Sequence, residues 1–192
     1  MLAPRKTLWS TPSAVMDRVT EWCGPLRDND CVCDIGCGDG RCLIQWATIY
    51  SKDLACQLPK NASTITPASF VGIDIDADRI TQARNAWQDA VKRGEIDERI
   101  KVEFHCLNGL EAFEIFRHAT IIFLYLIPRG LRKMKPLLMQ IHHPIQVITY
   151  MSPLPDETPT MKESIRVPHQ PDAEWPIFAY KLKGNDQRAN GE

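Results

Sequence analysis

Apolar positions along the chain recur first at helical and then at strand intervals. Val15, Met16 and Val19 follow Thr11 and Pro12, which predicts a first helix through about Cys23 with Thr11 as its cap. A short run from about Cys31 to Ile35 predicts a strand, and Leu43, Ile44 and Trp46 predict a helix from about Asp39 to Tyr50. Residues 51–67, SKDLACQLPKNASTITP, concentrate Ser, Thr, Pro and Asn without a period and are expected to form a surface insertion. FVGIDID is expected as the second strand, and ADRITQARNAWQDAVKRG as a helix with Ile80, Ala83, Ala86, Trp87 and Val91 on one side. KVEFHC predicts a third strand. TIIFLYLI predicts a fourth, its unbroken apolar run suiting a strand covered on both faces. A helix through LRKMKPLLMQI, kinked near Pro136, and a fifth strand, QVITYM, come next. ESIRV and PIFAYKL leave no room for a helix between them and predict an antiparallel hairpin. The expected architecture is α/β: a doubly wound, mostly parallel seven-stranded sheet with the hairpin at its end, in one domain over residues 1–183, followed by a disordered polar tail, 184–192.

Composition sharpens this in a few places. A chain of 192 residues with 44% hydrophobic content suits a single core, and a net charge of −1 gives no overall footprint for nucleic acid. No apolar run is long enough to span a membrane, and MLAPRKTLWSTP lacks the apolar stretch of a signal peptide. Cys31, Cys33, Cys37 and Cys42, among seven cysteines, match no zinc spacing, so reduced thiols in an intracellular compartment are expected. His105, His142 and His143 have no ligand partners at metal spacing, and no metal is expected.

The chemistry concentrates in CDIGCGDGR, residues 33–41. A strand ending in Asp34-Ile35-Gly36 and a helix beginning near Asp39 place Gly36, Gly38 and Gly40 at the carboxyl end of the first strand, where open α/β sheets bind ligands. The dinucleotide fingerprint G-x-G-x-x-G would need glycine where Arg41 stands, and Asp34 and Asp39 would repel a pyrophosphate but suit a cationic ligand. Asp74, closing FVGID, stands where an acid accepts ribose hydroxyl hydrogens, in NAD and adenosine cofactors alike.

DIGCGDG, VGIDID and the terminal hairpin together resemble the class I S-adenosylmethionine-dependent methyltransferases over about Thr11 to Leu182. The resemblance implies a Rossmann-like fold and S-adenosylmethionine as cofactor. It places the methionine part on Asp34, Gly36, Cys37, Gly38, Asp39 and Gly40, the ribose at Asp74 and Ile75, and the adenine at the turn holding Asn108 and Gly109, where many relatives have Asp. The long interval from Gly40 to Asp74 is accounted for by the insertion.

The upstream Thr11-Pro12 pair, DIGCGDGR and the apolar strand ending in Ile127-Pro128 are similar, more narrowly, to small protein-lysine methyltransferases such as those of the ATP synthase c-subunit. The chain lacks the Asp/Asn-Pro-Pro-Tyr/Phe tetrapeptide of many base and glutamine methyltransferases. The implied reaction is N-methylation of a lysine in a protein substrate. RNA or small-molecule methylation, and a non-catalytic binding module, stay open beside it. Tyr125 is expected either to orient the acceptor or to pack between sheet and helix; Trp9 is a candidate lid or a plain anchor. Arg129, Arg132, Lys133 and Lys135 read as a solvated helix face or as a dock for an acidic partner or RNA.

Overall fold

Five parallel strands and an antiparallel pair form one sheet in the computed structural model, which describes residues 10–57, 66–167 and 170–184. In chain order the strands are β1 (Cys31–Ile35), β2 (Ser69–Asp74), β3 (Val102–Cys106), β4 (Ile121–Leu124), β5 (Ile145–Tyr150), β6 (Met161–Val167) and β7 (Gln170–Leu182). In space they run β3-β2-β1-β4-β5-β7-β6, with β7 antiparallel to both of its neighbours. Winding reverses between β1 and β4, so the crevice of the sheet lies at the carboxyl ends of those two strands.

The helices α1 (Ser13–Cys23), α2 (Arg41–Gln57) and α3 (Ala77–Lys92) cover one face, and α4 (Phe113–Phe116) and α5 (Pro128–Leu138) cover the other. β4 shows why its run is wholly apolar. Ile121 and Phe123 enter the first core layer, Ile122 and Leu124 the second, and all four are buried.

Several expected boundaries move. α2 continues past Tyr50 to Gln57 because Leu54 prolongs the buried stripe of Trp46, Ala47 and Tyr50, while buried Ser51 accepts a hydrogen bond from Asp97 N at 2.7 Å through its Oγ. The insertion therefore cannot begin at Ser51; residues 58–65 lie outside the described residues. Pro12, not Thr11, is the N-cap of α1, its carbonyl accepting from Val15 N and Met16 N. β4 stops at Leu124, and α5 starts at Pro128, three residues before the expected Leu131, with Pro136 accommodated two residues before its end. α4 and the 3₁₀ turn Gly109–Glu111 that precedes it are too short to leave a periodic signal. Trp9 and the tail beyond Gly184 fall outside the described residues.

Candidate functional site

β1 hands the chain to α2 through Gly36-Cys37-Gly38-Asp39-Gly40. All three glycines adopt left-handed backbone, with φ of +95°, +56° and +77°, so their spacing is a conformational requirement that other residues meet at a cost of about 1–2 kcal/mol each. Gly36 N and Cys37 N both donate to Ile73 O, at 2.7 and 3.1 Å, which fastens the turn to the end of β2. Asp74 completes the fastening: Oδ2 accepts from Gly38 N and Oδ1 from Asp76 N, each at 2.9 Å. A carboxylate offers about four lone-pair sites. Two of them remain for other donors.

Gly40 differs from the other two. A Cβ there would lie 2.9 Å from Ala83 Cβ and 3.2 Å from the Phe104 ring, so this glycine lets α3 and β3 close onto the turn. Gly40→Ala combines that overlap with a left-handed φ and is expected to lower unfolding free energy by about 1–3 kcal/mol in a denaturant titration.

Beside the turn opens a cavity of about 320 Å³. Asp74 and Gly36 border it, with Ile75, Leu107, Leu110, Tyr125, Leu126 and Met134 as largely apolar walls. Asn108 and Gly109 also line it. The Asn108 amide holds the 3₁₀ turn in place, Oδ1 accepting from Leu110 N and Nδ2 donating to Glu111 Oε1, both at 3.2 Å. A second void of about 20 Å³ is bounded by Thr11, Asp34, Cys37, Asp39, Cys42 and Phe123. Gly36 and Tyr125 border both spaces, so the half-buried Tyr125 stands between them. Its ring packs against Tyr150 at 4.6 Å between centroids, and Tyr150 lies 6.3 Å from Trp175.

The turn is electrostatically lopsided. Asp34 is 2% exposed, and burial, reinforced by Asp74 and Asp39, pushes its carboxyl up to about 8. Burial also works against ionised Asp39, but the Arg41 guanidinium paired with it prevails and holds Asp39 below the usual carboxylate value. Arg79, the basic residue bordering the larger cavity, has its Nε 3.6 Å from Asp76 Oδ2. Asp34 is crowded by Asp74 and Asp39, so a cationic group entering beside it would favour its ionised form. Cys33, Cys37 and Cys42 are raised by burial and remain neutral thiols.

The structure thus gathers Asp34, Gly36, Cys37, Asp39, Asp74, Ile75, Asn108, Gly109 and Tyr125 around two contiguous spaces, with Gly38 tying them together and Gly40 turned to packing. Leu107 belongs to the turn expected to hold adenine and Leu126 to the apolar run ending in Ile127-Pro128, whereas Leu110 and Met134 line the cavity without a signal in the motifs. The expected basic cluster divides. Lys135 is engaged by Glu157 at 2.9 Å and by Pro155 O at 2.7 Å, whereas Arg129, Arg132 and Lys133 are exposed. Clefts of about 310 Å³ between α1 and α2 and of about 620 Å³ beside Asp28 and Asp30 contain none of the turn's residues. Among the described residues, no His, Cys, Asp or Glu group is disposed to hold a metal ion, and no helix is long and apolar enough to cross a membrane.

No family model matches the chain, and no curated protein does. Among solved structures it is similar to an RNA methyltransferase from Salinibacter ruber in complex with S-adenosyl-L-homocysteine, at 23% identity over 91% of this chain and 94% of that one, with a TM-score of 0.67. It is also similar to the rRNA methyltransferase aviRa from Streptomyces viridochromogenes (9% identity, 94% and 88% covered, TM-score 0.59) and to the methyltransferase domain of bacterial CtHen1-C (12% identity, 90% and 98% covered, TM-score 0.54). The fold is that of the class I S-adenosylmethionine-dependent methyltransferases, Rossmann-like with the antiparallel β5-β7-β6 end.

Proposed function

We propose that this protein is an S-adenosylmethionine-dependent methyltransferase whose acceptor is the ε-amine of a protein lysine. One observation carries the cofactor part: a turn of three left-handed glycines, tied through Gly38 N to Asp74, whose Gly36 borders a 320 Å³ cavity that Asp74 also lines. That volume lies within the usual range for small-molecule sites, roughly 300–1,000 Å³. The free lone pairs of Asp74 suit ribose hydroxyls, and Ile75, Leu107 and Leu110 suit the flat apolar faces of an adenine. Asn108 is left with one lone pair and one hydrogen beyond its structural bonds, so an amide can serve where relatives have Asp. Asp34 and Gly36 face the space for the methionine end, where a carboxylate would meet an ammonium.

When bound, S-adenosylmethionine supplies an electrophilic methyl group on a sulfonium. The chain's part is to align an acceptor about 3 Å from that methyl group. A lysine must first lose a proton, which at pH 7 costs about 4–5 kcal/mol from its ordinary pKa. Phe123, Tyr125 and Leu126 would lower that cost by excluding water, and an apolar wall of this kind accommodates a neutral amine better than a carboxylate or phosphate. An RNA acceptor is the second reading, favoured by exposed Arg129, Arg132 and Lys133 beside the cavity and by the RNA methyltransferases that share the fold.

Incubation with methyl-labelled S-adenosylmethionine and a cell extract separates these readings. Label recovered as methyl-lysine supports the first, label confined to RNA or small metabolites overturns it, and no transfer at all leaves a binding module. Tyr125→Ala should lower turnover about a hundredfold through lost alignment, far more than it weakens cofactor binding, to which Tyr125 contributes one border among many. Normal turnover in that variant would remove Tyr125 from the acceptor site.

A further inference from the structure

α5 has two unlike sides. Gly130 and Met134 line the cavity, while Arg129, Arg132 and Lys133 are exposed, and none of the three has an ion pair among the described residues. At 100° per residue these cations lie within about 100° of the helix circumference, and about 6 Å separates the first from the last along the axis. Their charges are not spent inside the protein, unlike that of Lys135.

We infer that Arg129, Arg132 and Lys133 form a dock for a short acidic segment of a protein substrate, a partner that rests on the lysine reading above. The size and setting of the patch disfavour a nucleic-acid strand. Lys135 draws Glu157 and, at 3.8 Å, Asp156 to one end of α5, and the Asp156 side chain is 92% exposed. The 3₁₀ turn that packs against α5 presents exposed Glu111 on another side. A continuous phosphate backbone leaving the three cations would run onto these carboxylates. A segment with two or three acids would fill the patch and stop short of them, and the flanking negative charge would set its register. Because a helix is about 10 Å across, the dock and the cavity are separated by about three or four residues of extended chain. The acids are therefore placed about that far from the target lysine.

The probes are fluorescein-labelled peptides with a central lysine and Asp or Glu three and four residues away, the same peptides with Asn or Gln instead, and a single-stranded RNA of similar length. Anisotropy is measured with and without S-adenosylhomocysteine, for the wild type, for R129E/R132E/K133E and, against misfolding, for R129Q/R132Q/K133Q. The acidic peptide should bind about tenfold more tightly than its amide counterpart at low salt, with the preference lost at high salt and in both variants. Equal binding of the two peptides, an unchanged preference in the variants, or tighter binding of the RNA overturns the dock. Calorimetry with S-adenosylhomocysteine on the same samples tests the cofactor reading separately, and should give the same affinity in all three proteins.

Discussion

Asp74→Ala is expected to weaken S-adenosylmethionine binding by about 2–4 kcal/mol, roughly thirty- to a thousandfold, and to lower the melting temperature at the same time. The two effects share a cause. Both carboxylate oxygens accept backbone N–H groups, Gly38 N and Asp76 N at 2.9 Å, so Asp74 shapes the turn before any ligand arrives. Alanine removes the acceptors of ribose hydroxyls and leaves the Gly38 N–H without its partner, a desolvation cost of about 1–3 kcal/mol. Asp74→Asn keeps one acceptor oxygen but turns an NH₂ group toward one of two backbone donors, so it should fall between the wild type and alanine in both measurements. Calorimetry and a thermal melt decide it. An alanine variant that melts like the wild type and binds with unchanged affinity would take Asp74 out of the site.

How far the sequence exposes this site depends on how local each cause is. β1 was legible to the residue because a strand covered on both faces must be apolar throughout, apart from Asp34. The G-x-G-x-G spacing was legible for an equally local reason, since positions 36, 38 and 40 all need left-handed backbone. What the glycines face was not legible: Gly36 borders both spaces, while Gly40 abuts Ala83 and Phe104, contacts made by elements more than forty residues downstream. The end of α2 was hidden by exposed Lys52 and Asp53, which sit between buried Ser51 and buried Leu54, and by the turn-rich composition that follows. The apolar run that predicts β4 outlasts the strand because Tyr125, Leu126 and Ile127 are as apolar as a strand; two of them, Tyr125 and Leu126, line the cavity instead of pairing. Four cations close in sequence looked like one cluster. The loop carrying Asp156 and Glu157, which claims Lys135, is distant in sequence and adjacent only in space.

The same locality limit applies to Asp34, whose motif position says nothing of its protonation. Burial, then Asp74 and Asp39, raise its carboxyl to about 8, so in the free protein at pH 7 it is mostly protonated. A cationic ligand group beside it favours the ionised form and lowers that pKa on binding, so one proton leaves as S-adenosylmethionine enters. Below about pH 8 the affinity should therefore rise with pH, by up to tenfold per unit, and then level off as free Asp34 itself ionises. Stability of the free protein runs the opposite way. A carboxyl whose folded pKa is raised holds a proton that the unfolded chain has already lost, so its contribution is complete below about pH 4 and disappears as pH climbs through 8. Calorimetric titrations of the wild type in buffers of different ionisation enthalpy count the released proton, and Asp34→Asn, which keeps the neutral shape, should release none and bind with no pH dependence from this group. A wild-type titration whose heat is independent of buffer at pH 7, or an asparagine variant with the same proton count, would show that Asp34 does not sense the cofactor's charge.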